Sequence, residues 1–243
     1  EEAFEDDTIL VSIMLANNEI GVLQPIREIA ALCKERSITF HSDAAQGFGY
    51  LPLDFDDLDV DLMSLSAHKI YGPKGVGALI KREEVVLSPL AWGGGQENKL
   101  RPGTLPVPLI IGFAKAAEIL NKDLFNRVDR LKKLRNIFID ELSNQVNDLI
   151  INGSLDKRLP HNLNITIPGV NGNRLHRELR PLINCSSGSA CSNGSPSHVL
   201  LAIGRSKEEA QASLRLSLGA KTTVSDVREA TDLISKVVRD LRG

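Results

Sequence analysis

The chain has 243 residues, of which 25% are charged and 42% hydrophobic, with a formal net charge of −2. This composition is typical of a soluble globular protein and excludes a disordered chain or a strongly basic nucleic-acid-binding protein. No apolar segment approaches the roughly 20 residues that span a bilayer, so no membrane association is expected. Three cysteines without a C-x-x-C pair argue against a disulfide framework and favour a reducing, cytoplasmic setting.

The first half of the chain alternates apolar runs with a helical pattern. TILVSIML (8–15) is typical of a strand buried on both faces of a parallel sheet. A helical repeat over 25–36 follows, and three further strands are predicted at 38–45, 60–66 and 75–81. Strands that alternate with helices predict an α/β fold with a mostly parallel sheet. The opening residues EEAFEDD have no signal-peptide pattern, and we expect the sequence to begin inside a domain.

The pattern changes near residue 123. A helix predicted from about 107 to 121 gives way to a long charged helix, then to two strands, a helix, a Ser/Gly-rich loop, a strand and a last helix over 224–242. We therefore predict the large α/β domain over residues 1–123 and a smaller α+β domain over 124–243.

Two charged stretches are interpreted as surface. DFDDLDVDL (54–62) contains five aspartates but lacks the glycine and the final glutamate of a calcium loop, so no metal site is predicted. RVDRLKKLR (127–135) is interpreted as the solvated face of an amphipathic helix rather than a nucleic-acid surface.

Polar residues cluster just after the predicted strands, where open parallel sheets bind ligands. These residues are Asn17, Asn18, Asp43, Gln46, Ser66, His68 and Lys69. A lysine in a Gly/Pro turn is usually a solvated cation, and a lone aspartate after a strand is usually a turn residue. Pyridoxal phosphate, however, needs a lysine for its aldehyde, a carboxylate for its ring nitrogen and donors for its phosphate. Lys69, Asp43, Ser66 and His68 supply candidates for all three.

Six motifs follow one another along nearly the whole chain: ANNEIGVLQPI, HSDAAQ, SLSAHKIYGPKGVGAL, GGGQENKLRPGTLPV, SSGSACS and LRLSLG. Together they resemble cysteine desulfurases of the NifS/IscS type, in the class V aminotransferase group of fold-type I pyridoxal phosphate enzymes. The resemblance implies the C-terminal portion of the large cofactor-binding domain followed by the small domain, without the usual N-terminal third.

The resemblance also implies a role for each residue of the cofactor site. Lys69 would hold the cofactor covalently and move protons at the substrate carbon, while Asp43 would pair with the pyridine nitrogen. Gln46 would bond to the phenolic oxygen. Ser66 and His68 would bind the phosphate.

Substrate and partners are implied in the same way. Asn18 and Arg215 would hold the carboxylate of L-cysteine, for which a guanidinium fork is suited. Thr104 would reach the phosphate of a neighbouring subunit, which implies a homodimer. The sulfur would pass to an acceptor or iron–sulfur scaffold protein.

Cys191 lies in the loop SSGSACSNGSPSH, whose small polar residues predict exposure, whereas Cys33 and Cys185 are predicted to be inert core thiols. The residue pattern alone leaves open whether Cys191 is structural or reactive. The resemblance implies a nucleophile: its thiolate would attack the substrate sulfur, release alanine and keep a persulfide.

Two departures from the family pattern keep alternatives open. The family's Ala-Thr phosphate turn and its ring-stacking histidine have no counterpart here, and His41 is not assigned the stacking role. The loop after Cys191 is also shorter than in the IscS type. We therefore expect weak cofactor binding by this chain alone. The alternatives are a selenocysteine or cyst(e)ine lyase that forms no protein persulfide, and an inactive truncated remnant.

Overall fold

A computed structural model describes residues 2–186 and 195–243, which form two compact units. The first unit consists of residues up to Leu15 together with Gln24–Leu124. The second consists of Ala16–Leu23 together with Phe125–Gly243. The short stretch Ala16–Leu23 therefore belongs to the second unit, although the chain on both sides of it belongs to the first.

The first unit contains a four-stranded sheet. Its strands are β1 (Leu10–Met14), β2 (Thr39–Asp43), β3 (Leu62–Ser66) and β4 (Gly77–Lys81), in that spatial order. The first three strands are parallel, and β4 is antiparallel to β3. The predicted α/β fold with a mostly parallel sheet is confirmed.

One face of this sheet is covered by helix α1 (Ile26–Glu35), whose apolar side packs Ala30 and Cys33 against Phe40 and Met63. Burying this apolar stripe stabilises the unit. Burial, with Asp61 as a smaller cause, raises the pKa of the Cys33 thiol and disfavours its thiolate.

The opposite face carries exposed apolar side chains. Leu10 and Met14 of β1 are 51% and 40% exposed, and Leu79 of β4 is 53% exposed. The prediction that β1 is buried on both faces was wrong. Only the α1-facing side chains of β1, Val11 and Ile13, pack against the buried cluster, and the alternate residues on its other face are exposed.

Two further features complete the first unit. Helix α2 (Val107–Lys122) packs against a short 3-10 helix, Ala67–Ile70, that directly follows β3. The aspartate run 54–62 forms surface ion pairs: Asp59 with Lys34 at 2.7 Å, and Asp56 with Arg82 at 3.1 Å. Exposed pairs of this kind contribute roughly 0–1 kcal/mol each.

The second unit combines a small sheet with helices. Its elements are α3 (Leu124–Gln145), β5 (Ile150–Ile151), β6 (Asn162–Thr166), α4 (Gly172–Leu179), α5 (His198–Ala202), α6 (Lys207–Gln211), β7 (Ser213–Ser217) and α7 (Val224–Arg242). The sheet is antiparallel, in the order β5-β6-β7. No helix in the described part of the chain is long and apolar enough to cross a membrane.

Strand β6 forms the centre of this unit, with every residue buried. Each of its buried polar side chains forms at least one hydrogen bond, although Asn162 Oδ1 has no partner in the described part of the chain. The Asn152 amide donates to the Asn164 Oδ1 and the Thr166 Oγ1, both at 2.8 Å, and Arg205 Nε donates to the Asn152 Oδ1 at 2.8 Å. This network fixes the position of Asn152, in the segment between β5 and β6.

Candidate active site

The carboxyl ends of β2 and β3 bring predicted site residues to one edge of the first unit's sheet. Asp43 is the last residue of β2 and is paired in register with Ser64 of β3. Ser66, the last residue of β3, follows two positions later. Since neighbouring strands are roughly 4.8 Å apart, Asp43 and the start of the lysine turn lie close together.

A tight turn presents Lys69. The 3-10 helix after β3 is followed by its C-cap residue Tyr71, which has a left-handed φ of 65°, and the Gly72 N–H donates to the Ala67 carbonyl at 2.9 Å. A Cβ at Gly72 would lie 2.9 Å from that same oxygen, so the turn has no room for a side chain there. The turn leaves His68 and Lys69 exposed.

The polar side chains of this turn differ in their hydrogen bonding. Ser66 Oγ and His68 Nδ1 share a hydrogen bond at 2.8 Å. Within residues 2–186 and 195–243, the Lys69 amine forms no hydrogen bond or ion pair. It is therefore available to a ligand.

Asp43 is anchored on one side only. Its Oδ1 accepts from the Ala45 N–H at 2.9 Å, which turns the chain towards Gln46, whereas its Oδ2 accepts no hydrogen bond from any described residue. The Asp43 side chain is exposed. A carboxylate held through one oxygen with the other open is suited to bind a charged N–H donor.

His41 joins three strands beside Asp43. Its Nδ1 is hydrogen-bonded to Ser12 Oγ of β1 at 2.8 Å, and its Nε2 to Ser64 Oγ of β3. His41 and Asp43 are two residues apart on β2 and so share a sheet face. Burial lowers the pKa of His41, and the nearby Asp43 charge partly opposes this by raising it. From the sequence, His41 was not assigned the ring-stacking role, although the alternating H-S-D pattern places it on the face of Asp43.

The His41 shift predicts a pH dependence of stability. The folded protein binds a proton at His41 less readily than the unfolded chain, so the free energy of unfolding should fall as the pH drops below the ordinary value of 6.5. The NMR titration midpoint of His41 should lie below 6.5. Urea unfolding at about pH 7.5 and 5.5 should show a smaller pH effect in His41→Gln than in the unsubstituted chain. An equal pH effect in both would contradict this assignment.

Thr104 lies in the exposed loop between a short 3-10 helix, Glu97–Lys99, and α2. The preceding Gly103 has φ +111°, a backbone conformation that residues other than glycine rarely adopt. The predicted role of Thr104 at a neighbouring subunit's phosphate stays a prediction.

The second unit brings Asn18 and Arg215 together. Arg215 is the central residue of β7, and its Nη1 donates to the Asn18 carbonyl at 3.3 Å. Asn18 is part of a turn in which Asn17 Oδ1 accepts from the N–H groups of Glu19 and Ile20, at 2.8 and 3.0 Å. The two residues predicted to hold the substrate carboxylate are therefore neighbours.

From the sequence, Cys191 was expected to be a nucleophile and Cys185 an inert thiol. Cys191 lies outside the described residues. Cys185 is partly buried, and burial raises the pKa of its thiol, which disfavours the reactive thiolate. This agrees with its predicted role as an inert thiol.

Comparison with known proteins identifies the family. Residues 1–229 match the aminotransferase class-V family model. The chain belongs to this family. Over 246 aligned residues it is 44% identical to the cysteine desulfurase IscS of Rickettsia typhi, covering all of this chain and 60% of that protein. The corresponding protein of Dictyoglomus turgidum is 45% identical, with all of this chain and 62% of that protein covered.

A solved structure agrees with this result. A NifS-like protein superposes with a TM-score of 0.89 at 36% identity, covering 99% of this chain and 64% of that one. The resemblance to cysteine desulfurases of the NifS/IscS type is confirmed. The chain spans about 60% of the length of the curated relatives it matches.

Proposed function

We propose that this chain carries the catalytic residues of a pyridoxal phosphate-dependent cysteine desulfurase. The enzyme converts L-cysteine to L-alanine and transfers the sulfur to Cys191 as a persulfide. The observation that carries the proposal is the grouping of Asp43, Ser66, His68 and Lys69 at one edge of the sheet. Relatives named cysteine desulfurase that are 44% and 45% identical support it.

The side chains at this edge fit pyridoxal phosphate. Asp43 Oδ2 and the Lys69 amine bond to no described residue; the first suits a protonated pyridine nitrogen and the second an aldehyde. Ser66 and His68 offer donors to a phosphate, and Gln46 an amide to the phenolic oxygen. When bound, the cofactor supplies an electron-poor ring that withdraws charge from the substrate's α-carbon.

The chain's own residues then have distinct tasks. Arg215 and Asn18 hold the substrate carboxylate and so orient the bonds at the α-carbon. Lys69 removes the α-proton and returns protons to carbon. The Cys191 thiolate attacks the substrate sulfur and forms an S–S bond. The bond between that sulfur and the substrate's β-carbon breaks, and its electron pair goes to the β-carbon. Protonation of that carbon completes alanine.

Assembly and partners follow from the same proposal. Thr104 contributes to the phosphate site of a second copy, so the active form is a homodimer. The persulfide on Cys191 is delivered to a sulfur-acceptor or iron–sulfur scaffold protein in the cytoplasm.

The test supplies the purified chain with pyridoxal phosphate and L-cysteine and measures alanine, free sulfide and protein persulfide before any reducing thiol is added. A desulfurase gives alanine together with a persulfide that maps to Cys191. Alanine or pyruvate with free sulfide and no persulfide would instead identify a lyase. No product under conditions in which the cofactor binds would identify an inactive remnant.

A further inference from the structure

Glu19 is a buried carboxylate that the proposed reaction does not use. Its side chain is 0% exposed. Its Oε2 accepts a hydrogen bond from Ser197 Oγ, and its Oε1 is buried without a hydrogen-bond partner in the described part of the chain. Burying a carboxylate costs several kcal/mol unless the group is compensated, and an amide of the same shape would avoid that cost.

The main chain of Glu19 is fixed from two sides. Its N–H donates to Asn17 Oδ1 at 2.8 Å. Its carbonyl accepts from the side-chain amides of Asn162 and Asn164 on β6, both at 3.2 Å. Glu19 therefore ties the turn that contains Asn18 to the buried central strand of the second unit.

The same turn is connected to both flanks of the segment 187–194. On one flank, the main chain of Ser186 pairs with that of Arg215 in both directions, at 2.6 and 3.2 Å. On the other flank, Ser197 is the N-cap of α5 and accepts from the Leu200 N–H at 3.2 Å. Because Ser197 also donates to Glu19, its hydroxyl links α5 to the turn.

We propose that Glu19 is a positioning residue which acts through Ser197 to hold Asn18 where it can bind the substrate carboxylate. This deepens the proposed function and rests on it. The hydrogen bond between Ser197 and Glu19 is buried, so removal of either side chain leaves the other without this partner. Displacement of a residue that binds the substrate carboxylate weakens substrate binding and so raises KM.

The experiment compares Glu19→Ala, Ser197→Ala and the double variant, with Glu19→Gln as the conservative change. Glu229→Gln, an exposed glutamate on α7, is the matched control. Hydrogen–deuterium exchange at the Glu19 and Ile20 amides should become about tenfold faster in Ser197→Ala and Glu19→Ala. The double variant should be no faster than Glu19→Ala, since one shared hydrogen bond is lost.

Kinetics give the second readout. KM for L-cysteine should rise about tenfold in Ser197→Ala and Glu19→Ala, with kcat changed less, and Glu19→Gln should recover part of the loss because it keeps an acceptor for Ser197. Exchange rates or KM values equal to those of Glu229→Gln would overturn the proposal, as would additive effects in the double variant. If the unsubstituted chain forms no alanine, the proposed function fails instead, and the exchange rates alone decide whether Glu19 and Ser197 act together.

Discussion

Replacing Lys69 by alanine is expected to abolish covalent attachment of pyridoxal phosphate to the chain. The Lys69 amine is exposed and forms no hydrogen bond or ion pair with a described residue, and it follows directly on the strand end that carries Ser66. Without it the cofactor loses the amine proposed to bind its aldehyde, and the substrate carbon loses its proposed base. Loss of that proton transfer alone should lower turnover by roughly 10²–10⁴-fold.

The measurement is borohydride reduction of the chain with bound cofactor, followed by peptide mapping of the added mass. Lys74→Ala is the matched control, because Lys74 is an exposed lysine in the same Gly/Pro turn. The adduct should map to Lys69, be absent from Lys69→Ala and persist in Lys74→Ala. An adduct that maps to Lys74 or survives in Lys69→Ala would refute the assignment of the cofactor site.

Replacing Cys191 by alanine is expected to eliminate the protein persulfide and to lower alanine formation by about two orders of magnitude or more. A thiolate tethered in the protein has a far higher effective concentration at the substrate sulfur than any thiol in solution. Binding of pyridoxal phosphate should be unchanged, because Cys191 is not among the residues proposed to hold the cofactor.

The matched control for this substitution is Cys185→Ala, which removes a partly buried thiol whose pKa is raised by burial. It should keep both the persulfide and alanine formation. If Cys191→Ala still releases sulfur from L-cysteine at the original rate, the protein is a lyase rather than a desulfurase.

Regular elements of this chain were predictable because their signals are local. The periodic apolar positions around Ala30 and Cys33 define α1, and the runs that end at Asp43 and Ser66 define parallel strands. The exposure of β1 was not predictable in this way. Whether the second face of a strand is covered depends on elements elsewhere in the chain. An apolar run has the same sequence pattern whether one face or both faces are covered.

The candidate site shows the same division. Asp43 and Lys69 could be predicted, since parallel strands present their carboxyl ends at one edge and the motifs there match a known family. Glu19 could not, because its partner Ser197 is 178 residues away in sequence. Likewise, the hydrogen bonds of His41 to Ser12 and Ser64 depend on the order of strands in the sheet, which the residues adjacent in sequence do not determine.

The stretch Ala16–Leu23 has a consequence for how the molecule can be divided. A fragment that starts at Phe125 would lack the carbonyl and carboxylate of Glu19, leaving the Asn162 and Asn164 amides and the Ser197 hydroxyl without these acceptors. Each buried donor left without an acceptor lowers the free energy of unfolding by about 1–3 kcal/mol, so such a fragment should not fold on its own. During synthesis, Glu19 is made 143 residues before Asn162 and 178 residues before Ser197, which makes completion of this unit a late, long-range event.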